Sequence, residues 1–151
     1  MRECGECTEC CISASVEEID KPMGVPCKNI DNGCSIYKDR PGACRFFSCQ
    51  WLKGDFADND KPSISKMVVW LGLTDEGNYT LWGSYRDGPP NKAMFSILME
   101  NSRLLPVAIV GEGKSLLYQD GRVIRDLTDE NSDTSSREDG RQLCKEHNHK
   151  K

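Results

Sequence analysis

Residues 4–11 read CGECTECC and place four cysteines within eight positions of the chain. The two C-x2-C gaps bring three thiolates into one small volume, because a chain with this spacing can curl around a single ion or cluster and turn its backbone N–H groups toward sulfur. Four more cysteines follow with the spacing C-x6-C-x9-C-x4-C. The candidate metal ligands are therefore Cys4, Cys7, Cys10, Cys11, Cys27, Cys34, Cys44 and Cys49.

The composition indicates that the fold needs support beyond an apolar core. Only 37% of the 151 residues are hydrophobic, and the mean hydropathy is −0.60, which is low for a globular domain of this size. Disulfides, one possible support, are typical of secreted chains. Residues 1–4 show no apolar segment of a signal peptide, and the adjacent Cys10 and Cys11 are awkward for simple disulfide pairing. We therefore expect metal-bound thiolates in a reducing cytoplasm.

Charge and hydropathy argue against two classes of partner. The longest apolar stretch, residues 67–73, is too short to span a membrane. The net charge is −4, from 20 basic and 24 acidic residues, and no short window is dominated by Lys or Arg. A nucleic-acid-binding surface would show a basic stripe or patch. The sequence thus predicts neither a membrane span nor nucleic-acid binding.

The eight thiolates suit two kinds of metal centre. Zinc would form two closed tetrahedral four-cysteine sites, each contributing folding free energy of about 10 kcal/mol, although the later gaps of 6, 9 and 4 residues depart from the C-x2-C pairs of zinc ribbons. An iron–sulfur cluster would use Cys4, Cys7 and Cys10, whose spacing is similar to the start of a ferredoxin-type run, with one later cysteine as the fourth ligand. Both metals, and one centre or two, remain open.

The end of the cysteine-rich stretch supplies apolar side chains beside two of the thiols. Cys44 and Cys49 are five positions apart, so a regular helix would not bring their sulfurs together. The apolar residues around them are expected to cover the centre and exclude water, which affects the potential and lability of a cluster. These residues are Phe46, Phe47, Trp51 and Leu52.

The chain as a whole predicts an α+β fold with four regions. These are a loop-rich, metal-stapled cysteine region (1–53), a polar linker (54–65), a small α+β module (66–127) and a polar tail (128–151) that we expect to be disordered. β-branched and aromatic residues predict strands at 67–73 and 79–85. A helix capped by Asn91 is predicted over 92–103 and a strand at 106–111, and segments 115–119 and 122–124 flank the Asp120-Gly121 turn. The predicted order is a ββαββ mixed sheet with the helix packed on one face.

The cysteine pattern resembles a known family. The motif C-x2-C-x2-C-C, a further cysteine, and then NGC-x-IY-x2-RP-x2-CR-x-F-x-C is similar to the YkgJ-type cysteine-cluster (CxxCxxCC) family, a zinc- or iron-chelating domain of bacterial and phage proteins. The resemblance covers residues 4–49. It implies that all eight cysteines bind metal and that Tyr37, Arg40 and Pro41 belong to the framework.

Three functions are compatible with these observations. The first is a metal-binding protein without catalysis, whose iron–sulfur or zinc centre is structural or carries an electron and whose residues 66–127 bind a protein partner. The second is an iron–sulfur redox enzyme or accessory subunit. The third is a metal-clamped structural component of a larger assembly, such as a virion. Cys144, His147 and His149 form a nominal metal trio, but we interpret them as part of a solvated tail because nothing apolar would shield such a site.

Overall fold

The computed structural model describes residues 2–74 and 76–128, which form an α+β fold built on a five-stranded mixed sheet. The strands are β1 (Met67–Leu73), β2 (Tyr79–Tyr85), β3 (Val107–Gly111), β4 (Lys114–Gln119) and β5 (Arg122–Asp126). The helices are α1 (Cys10–Ser13), α2 (Gly42–Phe46), α3 (Gln50–Lys53), α4 (Pro62–Ser65) and α5 (Lys92–Asn101). Short 3-10 turns cover Glu17–Ile19, Tyr37–Asp39 and Asp58–Asp60.

The sheet has the strand order β1-β2-β3-β4-β5. Only the β2–β3 pair, which α5 connects, is parallel, and the other three pairs are antiparallel. The predicted ββαββ order was wrong by one strand, because the structure has ββαβββ. Asp120 and Gly121 have φ values of 50° and 72°, as a two-residue hairpin turn requires, and the segments on either side of them each form a full strand.

Helix α5 forms the hydrophobic core with one face of the sheet. The Asn91 side chain accepts a hydrogen bond from the Met94 N–H at 3.0 Å, so it caps the helix as predicted. Met94 and Leu98 are 1% and 0% exposed. They pack in one cluster with the strand residues Met67, Val69, Leu81, Val107 and Ile109.

The opposite face of the sheet carries aromatic side chains that contact the cysteine-rich region. Trp70 of β1 and Trp82 of β2 are stacked with ring centroids 6.2 Å apart. Phe47, which follows α2, lies at the same centroid distance from Trp70. The cysteine-rich region therefore packs on the sheet near β1.

Residues 54–65, predicted as a polar linker, contain the 3-10 turn Asp58–Asp60 and helix α4. Arg2 fastens this segment to the start of the chain. Its guanidinium donates hydrogen bonds to the Phe56 carbonyl at 2.6 Å and to the Asp58 carboxylate at 2.8 Å. The predicted tail beyond Thr128, with Cys144, His147 and His149, lies outside the described residues. Among the described helices, none has the length and apolar character needed to cross a membrane.

Candidate metal centre

All eight candidate cysteines lie in the described part of the chain. Each is a free thiol of intermediate exposure. Helix α2 ends at Phe46, and Cys49 begins a new helix as the N-cap of α3. Cys44 therefore lies in α2, and Cys49 lies at the start of α3.

Four of the cysteines surround a small apolar cavity. Cys4, Cys7, Cys10 and Cys49 line a space of about 20 Å³ together with Trp51, Pro62 and Val68. Trp51 is only 8% exposed and Val68 only 2%. The thiols of this first cysteine set thus face apolar groups and one another on the side turned toward the sheet.

Local backbone structure explains how the first set comes together. The Cys7 N–H donates to the Cys4 carbonyl at 3.1 Å and closes a turn in which Gly5 has a φ of 56°. Helix α1 then begins at Cys10. At the other end of the stretch, burial raises the pKa of Cys49, while hydrogen bonds from backbone N–H groups, including those of Leu52 and Trp51, partly oppose that rise.

Cys11, Cys27 and Cys34, which form a second set with Cys44, are connected through different backbone contacts. The Cys27 N–H donates to the Cys11 carbonyl at 3.0 Å. Ile30 and Cys34 form an isolated antiparallel bridge around the predicted turn at Asn32, where φ is 47°. The pKa of Cys44 is raised by burial and by the negative charges of the thiolates of Cys11, Cys27 and Cys34.

The Glu18 carboxylate fixes the helix that carries Cys44. It accepts hydrogen bonds from the N–H groups of Gly42 and Ala43, at 2.7 and 3.0 Å, at the start of α2. A carboxylate at this position satisfies helix N–H groups that have no partner within the helix. Glu18 therefore links the 3-10 turn Glu17–Ile19 to α2 and holds Cys44 near Cys11.

Cys10 and Cys11 interact directly although they are assigned to different sets. The side-chain hydrogen bond between them raises the pKa of Cys10 and lowers that of Cys11. Lys21 and Arg40 also lower the pKa of Cys11 through their positive charges. The Arg40 guanidinium lies 4.1 Å from the centre of the Tyr37 ring. Its positive charge also lowers the pKa of Cys4, but burial outweighs this effect, so the pKa of Cys4 is raised overall.

Lys21 is a buried cation beside the second set that the sequence pattern did not reveal. It is only 6% exposed, and its ammonium donates hydrogen bonds to the carbonyls of Ile12 (3.1 Å), Pro22 (2.9 Å) and Ala14. Burial lowers the pKa of Lys21, and nearby thiolates, chiefly those of Cys27 and Cys11, oppose this effect. A buried ammonium next to several thiols offsets the charge that their ionisation creates.

The donor chemistry fits a thiophilic metal, but the thiols are not arranged as a closed site. Within residues 2–74 and 76–128, no group of three or more His, Cys, Asp or Glu side chains converges closely enough to hold a metal ion. The predicted apolar cover is only partly present. Trp51 lines the cavity and Phe47 packs on Trp70, whereas Phe46 is 69% exposed because it ends α2 on the solvent side.

Comparison of the chain with protein-family models, with curated proteins and with solved structures found no match.

Proposed function

We propose that this chain is a metal-binding protein whose N-terminal thiolates hold an iron–sulfur cluster or zinc. The centre would be structural or would carry an electron, without catalysis by the chain itself. The observation that carries the proposal is the cavity lined by Cys4, Cys7, Cys10 and Cys49, since four thiols around one space supply a complete set of soft donors. The free state of all eight thiols suits a reducing compartment such as the cytoplasm.

The surroundings of the cavity support this proposal. Trp51, Pro62 and Val68 provide no side-chain oxygen ligand that would favour a hard cation such as calcium or magnesium. Arg40 and Lys21 place positive charge near the thiols. A bound metal would join segments that are distant in the sequence and would contribute to folding, as structural metal sites do.

Elemental and sulfide analysis of protein purified without oxygen tests the proposal. We expect either iron with matching sulfide or zinc, in a fixed ratio to the chain. The double variant C7A/C10A should bind less metal per chain than the wild type, while C144A, which alters the ninth cysteine, should keep the wild-type content. Wild-type protein without bound metal, after exposure to iron and sulfide or to zinc, would refute the proposal.

An iron–sulfur redox protein or accessory subunit is the second candidate. The buried indole of Trp51 beside the cavity favours it, because an apolar wall controls solvent access and hence the potential of a cluster. We expect such a protein to be brown and to bleach on reduction. A colourless protein with stoichiometric zinc would exclude this candidate.

Exposed apolar residues in the α+β module (residues 66–127) support a role in binding a protein partner. Tyr79 and Leu73, which pair across β1 and β2, are 64% and 46% exposed. Binding of a protein partner at these residues would be consistent with an electron-transfer complex or with a larger assembly such as a virion. A protein that stays monomeric and captures no partner in its native host would count against this role.

A further inference from the structure

The first cysteine set is a unit in space even though it is split in the sequence. Cys4, Cys7 and Cys10 are joined by Cys49, which lies 39 positions after Cys10, as walls of the same cavity. Burial raises the pKa of Cys4 most, followed by the negative charges of Cys49 and Cys7, and Cys11 of the second set has a smaller effect in the same direction. The remaining walls of the cavity are Trp51, Pro62 and Val68, so no cysteine of the second set lines it.

The second set is held together by contacts that the first set does not share. A backbone hydrogen bond joins Cys27 to Cys11, and an antiparallel bridge places Cys34 opposite Ile30, whose N–H in turn donates to the Cys27 carbonyl at 3.2 Å. Cys44 lies on α2, whose first N–H groups donate to the Glu18 carboxylate at 2.7 and 3.0 Å, and Glu18 follows α1, the helix that contains Cys11. In agreement with this placement, the thiolates of Cys11, Cys27 and Cys34 raise the pKa of Cys44. The Lys21 ammonium donates to the carbonyls of Ile12 and Pro22 at 3.1 and 2.9 Å. The thiolates of Cys27, Cys11 and Cys44, and to the smallest extent that of Cys10, oppose the lowering of its pKa by burial.

Helix geometry explains how adjacent cysteines can serve different sites. Cys10 and Cys11 are consecutive in α1, and consecutive positions of an α-helix are rotated by about 100° around its axis. Cys10 can therefore line the cavity while Cys11 lies on the side of Cys27.

We infer that the eight cysteines form two separate four-thiolate centres, one held by Cys4, Cys7, Cys10 and Cys49 and the other by Cys11, Cys27, Cys34 and Cys44. This inference rests on the proposed function, because it assigns ligands to centres whose existence that function assumes. Each centre takes the same class of thiophilic ion or cluster. The two centres share helix α1, so they are neighbours in one folded region.

The metal content of matched double variants tests the assignment. C10A/C49A removes two ligands from one centre, whereas C11A/C49A removes one ligand from each. We expect C10A/C49A to keep half of the wild-type metal per chain and C11A/C49A to lose all of it, as measured by elemental and sulfide analysis after anaerobic purification. C11A/C34A should match C10A/C49A and keep the other half.

The outcomes separate this inference from the proposed function. Equal metal loss in C10A/C49A and C11A/C49A, with metal present in the wild type, would overturn the division into two centres and leave metal binding in place. A wild type that binds no metal would overturn both. Where alanine variants do not fold, the exchanges C10H/C49H and C11H/C49H keep a ligand at each position. In cobalt-loaded protein, C10H/C49H should then retain the visible absorption of one unaltered four-thiolate site. C11H/C49H should retain no unaltered four-thiolate site.

Discussion

The Glu9 carboxylate lies 3.4 Å from the Lys66 ammonium. This ion pair joins the cysteine-rich segment at residues 4–11 to Lys66, the residue that precedes β1. Arg86, directly after β2, approaches the other carboxylate oxygen at 3.7 Å. Glu9 is only 7% exposed, and two cations accompany this buried charge. The contact holds the start of α1, and with it Cys10, against the edge of the sheet.

Replacing this carboxylate should weaken the connection between the cysteine region and the sheet. We expect E9Q to lower the free energy of unfolding by about 1 kcal/mol, because both cationic partners are partly exposed to solvent and the pairs are long. The loss should shrink in high salt, which screens the exposed cations. Urea unfolding at low and high ionic strength measures both effects.

Glu100 offers the matched control for Glu9, since it is exposed near the end of α5. E100Q should leave the free energy of unfolding within about a few tenths of a kcal/mol of the wild-type value. A salt-independent loss in E9Q would contradict the ion-pair explanation and would indicate packing instead.

The Lys21 ammonium should contribute more to stability than the Glu9 contacts. K21M leaves the carbonyls of Ile12, Ala14 and Pro22 without this donor, but only the contact with Ile12 is fully buried. One unsatisfied buried polar group costs about 1–3 kcal/mol, and solvent partly replaces the donor at the other two. We expect K21M to lower the free energy of unfolding by about 2 kcal/mol, as measured in urea. K53M, at an exposed position of α3, is the control, and equal stability of the two variants would refute the role of Lys21.

The strands were predictable because their pattern is local. β1 and β2 occupy the predicted residues 67–73 and 79–85, since β-branched and aromatic runs bounded by turn residues specify a strand without reference to the rest of the chain. The N-cap of α5 at Asn91 follows the same logic. The number of strands was predicted incorrectly, because the two short segments beside Asp120-Gly121 carry little periodicity of their own.

The position of Cys49 beside Cys4, Cys7 and Cys10 at one cavity was not predictable from the cysteine spacing. C-x2-C gaps show that sulfurs are near one another, but the grouping of Cys49 with Cys10 depends on tertiary contacts that bring the residue before α3 and the first residue of α1 to the same cavity. The burial of Lys21 and Glu9 likewise results from tertiary contacts. A lone lysine or glutamate in a polar segment gives no sequence signal of this kind, since such residues are usually exposed.

Gly111 should be the glycine of the sheet that is least tolerant of a side chain. A Cβ at this position would lie 2.5 Å from two ring atoms of Tyr85, whereas a Cβ at Gly83 would meet the flexible ends of Leu98 at 3.0 Å and Met67 at 3.3 Å. We expect G111A to cost about 1–3 kcal/mol through overpacking against a rigid ring. G83A should cost less, because the side-chain ends that it meets can move.

Urea unfolding of G111A and G83A measures this difference under the same conditions. Alanine also restricts the unfolded chain more than glycine does, which favours both variants by about 0.4–1 kcal/mol and largely cancels between them. A G111A variant as stable as G83A would show that the Tyr85 ring moves aside at little cost.

The phenol of Tyr118 should make the sheet module sensitive to alkaline pH. Burial, and to a smaller extent the negative charge of Tyr85, raise the pKa of Tyr118. The folded protein therefore keeps this proton to a higher pH than the unfolded chain, whose tyrosines ionise near about pH 10. The contribution of the neutral Tyr118 phenol to the free energy of unfolding is therefore fully present below about pH 10. This contribution is lost as the pH rises through the pKa of Tyr118 in the folded protein.

We expect Y118F to reduce the loss of stability between neutral pH and the alkaline range, as measured by urea unfolding at a series of pH values. Phenylalanine keeps the ring, so the edge-to-face contact with Phe95, at a centroid distance of 5.8 Å, is retained. Y79F is the control, because the Tyr79 side chain is 64% exposed. Cysteine thiols ionise in a nearby range, but their contribution is common to both variants and cancels. If Y118F and Y79F change the decrease of unfolding free energy with pH by the same amount, the burial of Tyr118 is not the cause of the alkaline sensitivity.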